Sequence, residues 1–176
     1  MNGKLYNEDE FAKMCDFSLA SENKEGCIAR AKHMGIEAEG VTLSIGCIIR
    51  IPLDQIGRGV HLGLYSYLNG NVTIEDHVLI GPHCSIVAGN HKFDPETGWF
   101  SARTEKDGDE SVVIGFGSWL ASNVTVTPGV KIGRANLICA GAVVTKSTED
   151  YSIMAGVPAK KIGEIDPVSG KYIWYK

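Results

Sequence analysis

No stretch of this sequence approaches the ~18 consecutive apolar residues of a membrane-spanning helix, so no membrane span is expected. A basic stripe is missing as well. The formal net charge is -4 over 176 residues, which removes the electrostatic footprint of a nucleic-acid binder. The opening residues, MNGKLYNEDEF, are too polar and acidic for a secretory leader, and a cytoplasmic location follows as the expectation. There is no Cys-x-x-Cys pair, and the five cysteines, Cys15, Cys27, Cys47, Cys84 and Cys139, are odd in number. Reduced, buried thiols are therefore expected rather than a disulfide framework or a metal site, and a catalytic thiol is the weaker reading. What remains, 44% apolar and 22% charged residues, suits one globular domain.

Two residue classes are abundant instead. Glycine occurs 21 times, and it is interleaved with β-branched residues rather than segregated from them. The interleaving has a period. Ile56, Leu62, Leu68, Ile74, Ile80 and Ile86 follow one another at steps of six. Ile114, Leu120, Val126, Ile132, Ile138 and Val144 repeat the pattern. Four residues after each aliphatic, the chain carries mostly small or β-branched residues, such as Val60, Ser66, Val72, Val78 and Cys84 in the first block. A short strand and a sharp corner need one large inward group with a small group beside it, and Gly, Asn or Asp where the corner asks for positive φ. Three such units close a triangular coil, and coils stack about 4.8 Å apart through strand hydrogen bonds. An amphipathic helix or a sandwich predicts no sustained period of six, and glycine at that frequency costs a helix about 1 kcal/mol each time. The period therefore predicts a parallel β-helix, whose repeats bury their inner faces against one another.

Outside the repeat, residues 1–35 read as a helical N-terminal cap, with helices over Glu8–Met14 and Lys24–Met34, N-caps at Asn7 and Ser21 and a stop at Gly35. The β-helix is expected over 36–161, its first coil, Ile36–Leu53, irregular because it runs out of phase. Residues 87–111 break the repeat with a polar, charged stretch that contains Phe93, Trp99 and Phe100. A long loop leaving a rigid scaffold points to function. Residues 162–176 form a tail with aromatic Tyr172, Trp174 and Tyr175.

His91 stands where the last regular hexad gives way to this loop. A hydroxyl is a poor nucleophile at neutral pH. An imidazole, with an ordinary pKa of about 6.5, can take its proton during attack, typically worth about 10²–10⁴ in rate. Some group must orient the other ring nitrogen, and Asp94 or a backbone carbonyl are the candidates.

The phrases NVTIEDHVLIGPHCSIVAGNH, GSWLASNVTVTPGVKIG, ICAGAVVTK and AGVPAKKI resemble the hexapeptide-repeat acyltransferases, in the branch of galactoside and maltose O-acetyltransferases and their polysaccharide-modifying relatives. The resemblance covers about residues 56–163, with an echo at GKLYN. It implies a left-handed β-helix, a homotrimer with active sites between subunits, and acetyl-CoA as donor with no metal required. It implies that His91 is the catalytic base, and that the Ser122 N–H holds the thioester oxygen, an effect often worth ~3 kcal/mol. Trp119 would stand beside that position, Ala140, Thr145 and Lys146 along the pantetheine and nucleotide path, and Lys160 near the phosphates in place of a common arginine. Lys161 adjoins this set. The chain departs from the sugar enzymes on the acceptor side, where it reads LYSYLNGN (64–71) and NHKF around the histidine. Asn69, Asn90 and Asp94 are the acceptor-side candidates.

The function expected is O-acetylation of a sugar or polysaccharide-precursor hydroxyl by direct transfer. An amino sugar amine or an antibiotic is the alternative acceptor. A γ-class carbonic anhydrase would need three histidines converging on zinc, yet His77 and His83, six apart, fall on different sides of a coil, and no histidine follows His91. A non-catalytic β-helix scaffold would need neither the CoA-matching phrases nor a histidine at the loop junction.

Overall fold

The computed structural model of the protein describes residue 9, residues 24–101 and residues 110–175. The expected helix over 8–14 (apart from Asp9), both expected N-caps and Cys15 lie outside the described residues.

The chain winds as a parallel β-solenoid with three faces, and about six turns stack upon one another. The first face holds β1 (Thr42–Leu43), β3 (His61–Leu62), β6 (Leu79–Ile80), β11 (Trp119–Leu120), β14 (Leu137–Ile138) and β16 (Ser152–Ala155), hydrogen-bonded in that order. The second holds β2 (Ile48–Arg50), β4 (Tyr67–Asn69), β7 (Ser85–Val87), β12 (Thr125–Val126) and β15 (Val143–Val144). The third holds β5 (Val72–Ile74), β10 (Val112–Ile114) and β13 (Lys131–Ile132), with Ile56 bridging to Ile74.

The register is the hexad made visible. Leu62, Ile80, Leu120 and Ile138 lie in one column, and Leu68, Ile86, Val126 and Val144 in another. All eight are at most 1% exposed. Burying an aliphatic side chain contributes about 1.5–3 kcal/mol, and each column is continuous, so each coil is stabilised by its neighbours. The expected small residues turn the inner corners. Ser66 Oγ donates to the Gly81 carbonyl and Ser118 Oγ to the Gly133 carbonyl, which lets a polar group be buried without loss.

The first coil is less irregular than its sequence suggests. Leu43 pairs with Leu62 and Ile49 with Leu68, in register on two faces. Leu43 to Ile49 is the ordinary step of six, whereas Ile49 to Ile56 is seven. A 3₁₀ turn, Leu53–Gln55, replaces the strand on the third face between them. One helix, Lys24–His33, packs against β1, and Arg30 Nε donates to the Leu43 carbonyl at 2.7 Å.

At the other end, the last residues form regular structure. β17 (Lys160–Ile165) returns antiparallel to β16, and β18 (Tyr172–Trp174) pairs antiparallel with β17. These two strands extend the first face beyond the last coil. Between β7 and β10 the chain leaves the solenoid and carries a small hairpin, β8 (Phe93–Asp94) and β9 (Trp99–Phe100). No helix among the described residues is long and apolar enough to cross a membrane.

Candidate active site at the solenoid edge and its excursion

The excursion begins where ladder bonding on the second face stops. The Ala88 N–H donates to the Asn69 carbonyl at 2.8 Å, and three residues later stands His91. Its side chain is exposed, and Nδ1 lies 2.8 Å from the Ser101 carbonyl oxygen. A carbonyl only accepts, so Nδ1 carries the proton, and in the neutral ring Nε2 keeps its lone pair. The hairpin brings Ser101 to that position: Phe93 pairs with Phe100, and the Ser101 N–H donates to the Lys92 carbonyl at 2.8 Å. Of the two candidates for orienting the imidazole, the backbone carbonyl therefore takes the role.

Asp94 is engaged elsewhere. Its carboxylate accepts the Glu96 N–H and the Thr97 hydroxyl, each at 2.9 Å, and so caps the hairpin turn in the manner of an Asx-turn. The Glu96 N–H, and after it the Thr97 hydroxyl, hold this carboxyl below the usual carboxylate range. Asn90 is also engaged, because its N–H and Nδ2 donate to Glu110. Phe93, Trp99 and Phe100 remain exposed, with Phe93 and Phe100 edge to face at 5.5 Å between centroids.

The donor-side candidates divide between the two edges of the second face. Ser122 turns the corner between β11 and β12, and Ala140 turns the same corner one coil later; the Gly141 N–H donates to the Ser122 carbonyl at 2.9 Å. The Ser122 N–H has no hydrogen-bond partner among the described residues, which leaves an unused donor at a corner fixed by its neighbouring coils. Trp119 stands next to this corner on the outer side of the first face, 47% exposed, in register between Leu79 and Leu137. At the opposite edge, Thr145 and Lys146 follow β15, both exposed. Asn69 lies at this edge two coils below β12, paired with Val87, the last strand residue before the excursion.

One chain thus places the root of the excursion and the Ser122 corner at opposite edges of the same face. Pro82, stacked beneath Ser122, opens the turn into β7, and Val87 closes that strand, so its full length lies between the two. No hydrogen bond among the described residues links the excursion to that corner.

The lysines differ. Lys160 opens β17 and is exposed, and neither it nor Lys146 forms an ion pair among the described residues. Lys161 is committed: Nζ lies 3.1 Å from Glu149 and 3.6 Å from Glu164, with the Tyr175 ring 5.9 Å away. Its hydrogen bond to Glu149 raises its pKa, and it stands apart from any free cationic set. The thiols are structural in setting. Cys84 is buried, its Sγ donates to the Ala121 carbonyl at 3.1 Å, and burial pushes its pKa up. His77 and His83 occupy different corners, His77 against Phe116 and His83 stacked on Tyr65. Among the described residues no three His, Cys, Asp or Glu side chains are grouped so as to hold a metal ion.

A solenoid of stacked hexads, interrupted once by a histidine-bearing excursion, defines the fold class: the hexad-repeat β-solenoids. The family model described as bacterial transferase hexapeptide (six repeats) matches residues 111–146. A galactoside O-acetyltransferase of Lactococcus lactis subsp. lactis (strain IL1403) is 34% identical over 133 residues, 68% of this chain and 62% of that protein. WbbJ of Escherichia coli (strain K12), named as an O-acetyl transferase of lipopolysaccharide biosynthesis, is 32% identical over 70% of this chain and 68% of its own. The fold is similar to that of AntD, an N-acyltransferase from Bacillus cereus solved as a mutant with dTDP and coenzyme A, at a TM-score of 0.62 and 20% identity over 73% of this chain and 72% of that one. The chain belongs to the hexapeptide-repeat acetyltransferase family. The match spans a little under two thirds of the length of the Lactococcus relative.

Glu110 is the site residue that sequence reasoning missed. It ends the acidic stretch GDE, and no spacing relates it to Asn90.

Proposed function

We propose that the protein is an acetyl-CoA-dependent O-acetyltransferase that transfers an acetyl group directly to a hydroxyl of a sugar or polysaccharide precursor, with His91 as general base. The observation that carries this reading is the bond from His91 Nδ1–H to the Ser101 carbonyl, which presents Nε2 as an acceptor at the base of a solvent-facing loop. The named activities of the galactoside and lipopolysaccharide relatives support a saccharide hydroxyl as acceptor. The coenzyme A in the AntD structure supports the donor. A requirement for acetyl-CoA fits a cytoplasmic enzyme.

In the reaction, the acceptor oxygen attacks the thioester carbonyl while Nε2 takes the hydroxyl proton. The developing oxyanion accepts the Ser122 N–H, a donor fixed by the stack and free to act, and such a donor is often worth about 3 kcal/mol. Collapse breaks the C–S bond, and the imidazolium returns its proton to the departing thiolate. Trp119 would flank the thioester, Ala140 and Thr145 the pantetheine, and Lys146 and Lys160 the phosphates. Asn69, beside the root of the excursion, is the acceptor-side contact, with Asn90 and Asp94 acting through loop shape.

Because one chain keeps His91 and Ser122 on opposite edges of a face, the reaction calls for the excursion of one copy to meet the Ser122 corner of another. A homotrimer with sites between subunits satisfies this. The test is a screen of sugars, amino sugars and antibiotics with acetyl-CoA, reading free thiol release, for the native protein and for His91→Ala. The variant should lose at least ~10² in turnover with coenzyme A affinity nearly unchanged. Native turnover in His91→Ala overturns the base assignment, and preferred acetylation of amines overturns the hydroxyl acceptor.

A further inference from the structure

The excursion starts from a weakly held point. After the Ala88 ladder bond the backbone turns away through Gly89, at φ 135°, and both Asn90 and His91 are exposed. Burial does not fix this segment. One carboxylate does: Glu110 Oε2 accepts the Asn90 N–H at 3.2 Å, and Oε1 accepts Asn90 Nδ2 at 2.8 Å. Glu110 is itself anchored, because its carbonyl accepts the Gly129 N–H at 2.9 Å on the corner of the next coil. A single residue thus ties the exit of the excursion to its re-entry and to the coil above.

We infer that Glu110 is a positioning residue for the general base, a clamp that fixes the backbone from which His91 is presented. The inference rests on the reading of His91 as base. The imidazole is held at two points that do different things. The Ser101 carbonyl sets the tautomer, but Ser101 belongs to the same excursion. Ring and hairpin could swing together, keeping the tautomer while misplacing Nε2. The Asn90–Glu110 clamp removes that swing, because it refers the residue before His91 to the solenoid. A carboxylate suits this role because it offers two acceptors to two donors of one residue, and charge-assisted bonds are the stronger kind. Glutamine keeps one acceptor and alanine keeps none. Asn90→Ala keeps the backbone bond and loses the amide bond.

The experiment compares the full-length native protein with Glu110→Ala, Glu110→Gln, Asn90→Ala, His91→Ala and His91→Ala/Glu110→Ala. It measures kcat, KM for acetyl-CoA, thermal unfolding and the His91 tautomer by ¹⁵N NMR. Displacements of about 1 Å cost up to ~10² in rate, so Glu110→Ala should lower kcat roughly 10–100-fold. KM for acetyl-CoA should stay within about twofold, Nδ1 should stay protonated, and Glu110→Gln and Asn90→Ala should fall between native and Glu110→Ala. In the His91→Ala background, removing Glu110 should cost nothing more. If Glu110→Ala fails to fold, the graded loss in Glu110→Gln decides. Native turnover in His91→Ala defeats the base reading itself. A full loss in His91→Ala beside native kcat in the Glu110 variants overturns the clamp alone, as does an equal Glu110 effect with and without His91. Loss of the tautomer together with the rate also overturns it, since Glu110 would then only hold the hairpin folded.

Discussion

Ile86 and His91 are five residues apart and live under different rules. Ile86 is fully buried and sits between Leu68 below and Val126 above, in a face hydrogen-bonded at every step. His91 is exposed; its ring bonds to a carbonyl of its own loop, and its neighbour is held by a distant carboxylate. In the solenoid, position comes from repetition, and many equivalent contacts share the load. In the excursion, position comes from single bonds such as His91 to the Ser101 carbonyl and Asn90 to Glu110. Damage to the first region should therefore appear as lost stability, and damage to the second as lost turnover in a protein that still melts normally.

The largest effect should come from the solenoid core. Ile114→Ala removes a fully buried side chain from the coil that closes over the excursion, and large-to-small changes of this kind cost about 2–5 kcal/mol. Chemical denaturation should show that loss as a lower midpoint. A midpoint unchanged to within experimental error would mean that the columns do not carry the fold.

Gly81→Ala should come next and should cross the divide. A Cβ there would lie 2.8 Å from the Ala121 carbonyl carbon and 2.9 Å from the Ser122 nitrogen, backbone atoms that must shift. Overpacking typically costs about 1–3 kcal/mol. Since the displaced atom is the proposed oxyanion donor, kcat should fall as well. Denaturation and turnover measured on the same sample check both, and a stable variant with native kcat would break the link.

The smallest effect should be confined to the hairpin. The Asp94 carboxyl is depressed by the Glu96 N–H and the Thr97 hydroxyl, so its folded pKa lies below its unfolded one. Its contribution is complete above the unfolded value and is lost as pH falls through the folded value. The protection factor of the Glu96 amide, exchange corrected for its intrinsic pH dependence, should fall on acidification below the usual carboxylate range, while amides of β12 keep theirs. Asp94→Asn should abolish that dependence, and its persistence would place the titration elsewhere.

The same contrast governs how much could be read in advance. The step of six was legible because a solenoid repeats one local solution, so Ile56 to Ile86 and Ile114 to Val144 announce the columns directly. The first coil hid its register behind a single extra residue between Ile49 and Ile56, absorbed by the 3₁₀ turn. The last strands carry no such signal, because their pairing is antiparallel and follows no hexad. At the candidate site, His91 stood out by its place at the break. Its orienting carbonyl did not, since any residue has one and only the hairpin register selects Ser101. Lys161 looked like its neighbour Lys160, and only the positions of Glu149 and Glu164 separate them.

The register across the break has a consequence for how such a protein can change. Ile74 pairs directly with Ile114, and Ile86 with Val126, as though the intervening stretch were not there. Ile114 follows Ile86 by 28 residues where six would suffice, yet no coil above is tilted out of step. The insert enters and leaves the stack without shifting its register, so a change in its length need not be carried into the coils above. New acceptors can then be explored by grafting excursions onto an unchanged cylinder, provided each graft carries its own clamp.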